Sequence, residues 1–340
     1  MIVYILTLFV VLSIITLSSQ SPNKNKGLVW LFYILFIGVT LLRSDELPDY
    51  KGYYDYFLTG KFERAEVGFK FYINTLKYII TSPELLFLSV ALLSVGIKWS
   101  AIRKLSTYIW GSLLIYLSYF LILHDMIQIR VAVASGLLLW STKYLYGRNA
   151  IKFIVTTIIA ILFHTSAIVI LPLWFINTKT PQKKIYLWMV PIAYIITIMG
   201  YAIGYLIAKV PIAQIQELWL MYEYRMANNE GVDINIFNSL HLMRCFMCTL
   251  ILFNIDKIAK YCPFAIIWSK IYTISLVAFL LLSDIPVAAF RISELFQIIE
   301  ILLIPTILLI PRYMQLGKYL IIVFAGFCLF INIFYNQYIV

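Results

Sequence analysis

The stretch IKFIVTTIIAILFHTSAIVILPLWFI, residues 151–176, decides how the chain is arranged in space. A membrane crossing takes about 20 apolar residues, and two crossings take about 40. These 26 residues are too few for two crossings, yet both flanks are basic, with Arg148 before the stretch and Lys179, Lys183 and Lys184 after it. Short loops rich in Lys and Arg stay in the cytoplasm, so both ends of the stretch are expected on the same side.

We interpret this stretch as a re-entrant pair of half-helices, 151–163 and 166–176. The turn between them, Phe163-His164-Thr165-Ser166, is expected to point to the outer face. Irregular backbone at membrane depth is stable only inside protein or along a water-filled cavity. The alternative is one long tilted span, in which case a single loop breaks the positive-inside rule.

The rest of the chain is apolar as well. Of its 340 residues, 62% are hydrophobic and 13% are charged, whereas soluble domains average about 45–50% and about 25%. We therefore predict an all-α, polytopic integral membrane bundle of about 10–12 transmembrane segments, forming a single domain over residues 1–340. The apolar spans are predicted at 2–18, 27–42, 84–99, 107–123, 127–146, 186–208, 239–255, 264–283, 292–311 and 319–338. The first run lacks the pattern of a cleaved signal peptide and is interpreted as a retained helix.

Basic residues are distributed unevenly between the loops. With the turn at 163–166 outside, the inner loops contain 15 of the 27 basic residues and one of the 16 acids, Asp256. This asymmetry places the N-terminus outside. The net charge of +11 is then explained by membrane topology, and we expect no nucleic-acid partner.

Two outer loops are long, 43–83 and 209–238. The first combines tyrosines with Asp49 and Asp55 and ends in a stretch, 69–80, that is typical of an amphipathic helix on the membrane surface. The second contains Tyr222-Glu223-Tyr224-Arg225. Aromatic rings and carboxylates together suit sugars, but tyrosines are also common at the level of the lipid headgroups.

Ionisable residues near the outer ends of the helices are the strongest site candidates, because charges at membrane depth are costly. They are Arg43, Asp125, Arg130, His164, Arg244 and Arg291, with Gln128 and Asp284 beside them. Converging arginines suit a diphosphate, because a guanidinium binds phosphate oxygens in a bidentate way and keeps its charge. Two of these arginines could instead form an ion pair with an acid nearby in the sequence: Arg130 with Asp125, and Arg291 with Glu294.

His164 is the candidate general base, since an imidazole with an ordinary pKa near 6.5 can accept a proton from a hydroxyl near neutral pH. The alternative is a histidine that only packs between helices. The sequence has no metal or nucleotide motif of a recognised kind. We therefore expect metal-independent chemistry without a cofactor.

Several short motifs carry a family resemblance through their order and spacing. They are Arg43-x-Asp45 with Asp49-Tyr50, Glu66-x-Gly68-Phe69, Gln128-Ile129-Arg130-x-Ala132-x-Ala134, Phe163-His164-Thr165-Ser166-Ala167, and Arg291-Ile292-Ser293 before an apolar run that ends at Pro305. Over residues 40–310 the chain resembles the EpsG-like group of Wzy-type polysaccharide polymerases. One departure is Val131, where relatives usually have a polar residue.

The resemblance implies a glycosyltransferase with a GT-C-like fold. Such enzymes join undecaprenyl-diphosphate-linked oligosaccharide repeat units into O-antigen, capsule or exopolysaccharide. They act in the bacterial inner (cytoplasmic) membrane, with the active site facing the periplasm. The expected process is polysaccharide biosynthesis, including lipopolysaccharide biosynthesis. Membrane lipids and a chain-length regulator protein are the further partners that the resemblance implies.

The resemblance also implies roles for individual residues. Arg130 and Arg291 are expected as diphosphate ligands, with Arg43 as a third, and His164 as the catalytic base. The remaining substrate-binding candidates are Asp45, Asp49, Tyr50, Asp125, Gln128, Tyr222, Arg225, Arg244 and Asp284.

Two other functions remain open at this point. An O-antigen ligase has the same lipid donor and a different acceptor. A flippase or another transporter often has two similar halves and polar residues at the membrane midplane. The sequence has no evident internal repeat, and Lys270 and Glu300 are its only deep charged candidates.

Overall fold

A computed structural model describes residues 1–19, 26–43, 45–47, 49–60, 66–79, 81–201, 220, 234–310 and 314–337. Every regular element in these ranges is helical. The α-helices are α1 (Ile2–Ser18), α2 (Lys26–Leu41), α3 (Tyr50–Thr59), α4 (Val67–Lys77), α5 (Pro83–Leu105), α6 (Ile109–Ile115), α7 (Ile129–Tyr146), α8 (Ala150–Phe163), α9 (Lys183–Ile198), α10 (Ser239–Ala259), α11 (Ala265–Leu281), α12 (Pro286–Gln297), α13 (Glu300–Leu303) and α14 (Met314–Phe330). Helix α6 continues as a π-helix, Tyr116–Ile127, and α14 as a second, Ile331–Tyr335; 3₁₀ helices span Thr165–Phe175 and Ile304–Leu309.

The predicted membrane helical bundle is confirmed, and within the described ranges each of the ten predicted spans overlaps one or more helices. Four helical segments in the described ranges are long and apolar enough to cross a membrane: Pro83–Leu105, Ile109–Ile127, Pro286–Leu309 and Met314–Tyr335. The prediction for 186–208 is the least accurate, because α9 ends at Ile198 and residues 202–208 lie outside the described ranges.

The π-helix Tyr116–Ile127 forms the centre of the bundle, where all twelve of its residues are buried. Aliphatic side chains such as Ile34 and Ile195 are instead largely exposed, on the helices around it. A soluble domain rarely exposes so much apolar surface. Here that surface is suited to contact with lipid tails.

Residues 150–176 form the predicted hairpin. Helix α8 ends where His164 adopts an extended conformation (φ −152°, ψ 113°), and the 3₁₀ helix then runs back along it. The rings of Phe153 and Trp174 are 5.4 Å apart, and the Arg148 guanidinium donates hydrogen bonds to the carbonyls of Trp174 and Ile176.

The hairpin is also too short to cross a membrane. The 14 residues of α8 extend over about 21 Å, and the 11 residues of the 3₁₀ helix extend over about 22 Å. The hydrocarbon core is about 30 Å thick. The lengths and the chain reversal both agree with a re-entrant element, although its depth in the membrane stays a prediction.

The loops predicted to lie inside meet at one end of the bundle. Lys318 donates hydrogen bonds to the carbonyls of Leu17 and Ser19 at the end of α1. Lys270 reaches the carbonyl of Asn177 and the side chain of Gln182 in the loop after the hairpin. These ammonium groups satisfy carbonyls that helix ends leave without partners.

The first predicted outer loop, 43–83, contains the expected helix near 69–80, which is α4, and a further helix, α3, that was not predicted. Helix α4 buries Phe69 and Ile73 and exposes Val67 and Phe71. It therefore has the two apolar faces of a helix that contacts protein on one side and lipid on the other.

The hairpin generates a labelling test with two exposed threonines, Thr165 at its turn and Thr180 beyond its base. We expect Thr165→Cys to react with a membrane-impermeant maleimide added outside intact cells, and Thr180→Cys to react only after the cells are opened. Three of the four native cysteines are buried and Cys245 is half-buried, so the parent protein gives the background. Labelling of Thr165→Cys only in opened cells would contradict the re-entrant topology.

Candidate functional site

The carboxylate of Glu66 contacts both His164, the expected base, and Arg130, an expected diphosphate ligand. Its Oε2 lies 2.6 Å from Nη1 of Arg130, and its Oε1 lies 3.2 Å from Nδ1 of His164. The backbone N–H of Thr165 also donates to Oε1, at 3.3 Å. We call Glu66, Arg130 and His164 the outer-end triad.

The three residues of the triad lie on three separate structural elements. Glu66 immediately precedes α4, Arg130 is the second residue of α7, and His164 is the turn of the hairpin. Gly68 permits their approach, because a Cβ atom built on it would lie 2.6 Å from Cβ of Leu162. Helix α4 can therefore lie directly against the end of α8, which brings Glu66 within reach of His164.

Glu66 is ionised at neutral pH. Burial of the carboxyl acts to raise its pKa, but the hydrogen bond from His164 and the charge of Arg130 outweigh this effect and lower the pKa to about 2. An ionised carboxylate only accepts hydrogen bonds. Nδ1 of His164 therefore carries the proton, and the lone pair of a neutral ring lies on Nε2.

Nε2 of His164 is the ring nitrogen that this arrangement leaves available as a hydrogen-bond acceptor. It is buried and has no hydrogen-bond partner within the described ranges, while 7% of the side chain is exposed. A carboxylate on one ring nitrogen and an unpartnered second nitrogen is the arrangement that hydrolases and transferases use to orient a general base. The triad is thus equipped to accept a proton.

Arg130 is also held by α3. Its Nε donates to the hydroxyl of Tyr53 at 3.2 Å, and 18% of its side chain remains exposed. Tyr53 and Tyr56 are buried, so half of the tyrosine cluster on α3 belongs to the protein core rather than to an aromatic platform for sugars.

Helix α12 closes the other side of the site, because it packs against α7 and against the 3₁₀ limb of the hairpin. It carries Arg291, which is exposed, and Glu294, which is half-buried. The amide of Gln128 donates to Oε2 of Glu294 at 3.4 Å. Glu294 thus contacts Gln128 and forms no ion pair with Arg291 within the part of the chain that the structure describes, contrary to the alternative pairing.

Asp125 does not neutralise Arg130, which corrects the other alternative pairing. Its carboxylate accepts hydrogen bonds from Lys98 at 2.7 and 2.8 Å, Ser94 at 2.6 Å and Tyr116 at 2.8 Å, and it is fully buried. A role of Asp125 in substrate binding stays a prediction, and the carboxylate is already saturated by protein.

Arg43 reaches the same segment from α2. Its Nη2 donates to the backbone carbonyl of Asp125 at 2.8 Å and its Nε to the carbonyl of Thr40 at 2.9 Å. Its guanidinium also lies 4.6 Å from the ring centre of Phe87. These contacts fix the end of the π-helix immediately before Gln128 and Arg130.

Arg244 lies deeper and is almost completely buried. Its Nε donates to Oε1 of Glu300 at 2.8 Å, and its guanidinium lies 4.6 Å from the ring centre of Tyr119. Within the described residues, the ion-pair partner of Arg244 is therefore Glu300 and not Glu66.

The other predicted residues have different positions. Asp45 and Asp49 are exposed beside α3, and Tyr50 stacks on Phe87, with ring centres 4.9 Å apart. Asp284 lies half-buried in the turn between α11 and α12. Tyr222 and Arg225 lie outside the described residues.

Sequence reasoning missed three residues at the site: Glu66, Tyr53 and Glu294. A signal for Glu66 was present, because it opens the motif Glu66-x-Gly68-Phe69. Within the described ranges, no group of three or more His, Cys, Asp or Glu side chains is arranged to hold a metal ion.

A comparison with protein families gives one match, in which the EpsG family model aligns with residues 28–339. The chain belongs to the EpsG family. This is a glycosyltransferase-like polymerase family, and membership supports a role in polysaccharide biosynthesis at a membrane. Searches of the curated proteins and of the solved structures returned no match.

The environment of Asp125 generates a stability prediction. Asp125→Ala leaves Lys98 as a buried charge without its partner, so we expect the free energy of unfolding to fall by about 3–5 kcal/mol. Replacing both partners in Lys98→Met/Asp125→Leu should recover most of this loss. The measurement is reversible unfolding by sodium dodecyl sulfate in mixed micelles.

The matched control is Asp256→Ala, which removes an exposed aspartate and should change the free energy of unfolding by less than about 0.5 kcal/mol. Unfolding of Asp125→Ala at the same detergent fraction as the parent would contradict a structural role for this ion pair.

Proposed function

We propose that this protein polymerises lipid-diphosphate-linked oligosaccharide repeat units into O-antigen or a related surface polysaccharide. The observation that carries the proposal is the sharing of the Glu66 carboxylate by His164 and Arg130, with Nε2 of the histidine left unpartnered. Membership of the EpsG family supports the same class of reaction.

The triad supplies the general base that this glycosyl transfer requires. Nε2 of His164 accepts the proton of the acceptor hydroxyl while the acceptor oxygen forms a bond to the anomeric carbon of the donor chain. The bond from that carbon to the diphosphate oxygen breaks, and the lipid diphosphate leaves with the electron pair. The ionised Glu66 stabilises the resulting imidazolium and acts as a positioning residue for the ring.

Arginines stabilise the diphosphate leaving group in this proposal. Arg291 is exposed on a helix that packs against both α7 and the hairpin, so its guanidinium is accessible to an anionic ligand. Part of the Arg130 side chain is also exposed beside the proposed base. Fixed guanidinium groups can replace a metal ion where negative charge develops in the transition state, which makes the proposed reaction metal-independent.

The proposed location of the site is the periplasmic face of a bacterial inner membrane, where an undecaprenyl diphosphate would present its headgroup. The hairpin turn, α3 and α4 all lie at the same end of the bundle as the triad. Transport is less well supported, because the two charges that the sequence predicted to lie deep already have protein partners: Lys270 binds Asn177 and Gln182, and Glu300 binds Arg244.

Substitution of the predicted catalytic residues should stop chain extension. We expect His164→Ala, Arg130→Ala and Arg291→Ala each to reduce the rate at least about 100-fold, at normal protein level. In cells that depend on the variant, the ladder of surface polysaccharide on a gel should collapse to single repeat units.

The matched control is Arg103→Ala, which removes an exposed arginine at the opposite end of the bundle. It should leave the ladder unchanged. A polysaccharide ladder of near-normal length and amount from all three site variants would contradict the proposed site. For cells without the gene, long lipid-linked chains would indicate a ligase instead, and single units trapped inside would indicate a flippase.

The contact at Gly68 generates a second prediction. Gly68→Ala introduces a methyl group where only 2.6 Å separates the new Cβ from Leu162, so α4 must move and Glu66 must withdraw from His164. We expect extension to fall at least about tenfold, as when a positioning contact is lost. Rates of unit transfer are measured with purified protein in lipid nanodiscs.

Gly38→Ala is the control for this effect, because no atom lies within 4 Å of the position of its Cβ. It should transfer units at the parent rate. Equal rates for the two alanine variants would show that the close approach of α4 is not required.

A further inference from the structure

Glu294 is a carboxylate at the site that the proposed chemistry does not use. It is half-buried on α12, and it accepts a long hydrogen bond of 3.4 Å from Gln128. No cation in the described ranges lies within ion-pair distance of it. A charged group in this position is costly unless something binds it.

Neutralisation of the neighbouring arginines does not explain Glu294. Arg244 and Arg291 are both within electrostatic reach of it, but Arg244 already forms an ion pair with Glu300 at 2.8 Å. Arg291 is exposed, where solvent screens its charge. Glu294 thus forms no ion pair with either arginine in the described ranges.

Gln128 and Glu294 together form a matched pair of hydrogen-bonding groups. The carboxylate only accepts, while the amide both donates and accepts. Neighbouring hydroxyls of a pyranose need this combination, because each hydroxyl is a donor and an acceptor. The 3.4 Å contact is too long for a strong hydrogen bond, so both groups keep the capacity to bond to a further partner.

The pair lies next to the base. Gln128 directly precedes α7, two residues before Arg130, and α12 packs against both α7 and the 3₁₀ limb that follows His164. A sugar held between Gln128 and Glu294 would therefore lie beside the triad.

We propose that Glu294 and Gln128 bind two neighbouring hydroxyls of the acceptor sugar and present a third hydroxyl to His164. This inference rests on the proposed function, since it assumes that the ligand is the acceptor of a glycosyl transfer.

The test separates acceptor binding from turnover by using a soluble acceptor. Mild acid releases the free repeat-unit oligosaccharide from lipid-linked units that accumulate in cells lacking the protein. The full chain in nanodiscs receives intact lipid-linked units at a fixed concentration as donor, and the product without lipid is measured against the concentration of free oligosaccharide.

We expect Glu294→Gln and Gln128→Ala each to raise the KM for the free oligosaccharide about tenfold or more, as expected when a hydrogen bond to a charged group is lost. The kcat and the KM for the lipid-linked donor should change less than about threefold. Glu84→Gln, which alters an exposed carboxylate in the first turn of α5, is the matched control and should change neither constant.

An acceptor KM within twofold of the parent in Glu294→Gln overturns the proposal. A rise confined to the donor KM also overturns it, because the pair would then bind the donor. If a variant has no turnover, equilibrium binding of the free oligosaccharide is compared between His164→Ala and His164→Ala/Glu294→Gln. Equal dissociation constants again overturn the proposal.

The same measurements distinguish this inference from the proposed function. Extension that persists in His164→Ala contradicts the catalytic base, while a weaker oligosaccharide affinity in Glu294→Gln would still support the sugar subsite. Absence of both transfer and oligosaccharide binding in the parent protein would contradict both.

Discussion

The shared carboxylate of Glu66 is the interaction on which the rest of the site depends. It is nearly buried, and the cost of placing its charge there is offset by a guanidinium, an imidazole and a backbone N–H. An ion pair in such surroundings is stable only when its geometry is good and its remaining hydrogen bonds are satisfied. Three elements that are distant in sequence must therefore meet in one arrangement, and the ring nitrogen they leave open is the same in every folded molecule.

The charged residues at and below the site have two kinds of position. Asp125 and Lys98 lie inside the bundle and saturate each other, together with Ser94 and Tyr116. Arg130 and Arg291 keep part of their surface accessible at the outer end. The first group fixes the π-helix that ends at Ile127, directly before Gln128, so the core polar network supports the segment that carries the site residues.

Most of the fold could be predicted from the sequence, because spans need long apolar runs and basic loops mark one side of the membrane. The hairpin could be predicted from length and charge alone, since 26 residues between two basic flanks cannot cross twice. The ion-pair partner of each charged side chain could not be predicted in the same way. Asp125 and Glu66 are both acids near outer helix ends, and only the packing of α4 against α8 gives Glu66, not Asp125, to Arg130.

Helices α3 and α4 connect the site to an exposed apolar surface. The residue that orients the base stands at the start of a helix whose other face, with Val67 and Phe71, is exposed and apolar. That face is suited to the boundary between headgroups and acyl chains. In the proposed topology the orientation of His164 is thereby tied to the level of the lipid surface, so that bilayer thickness becomes one of the dimensions of the candidate site.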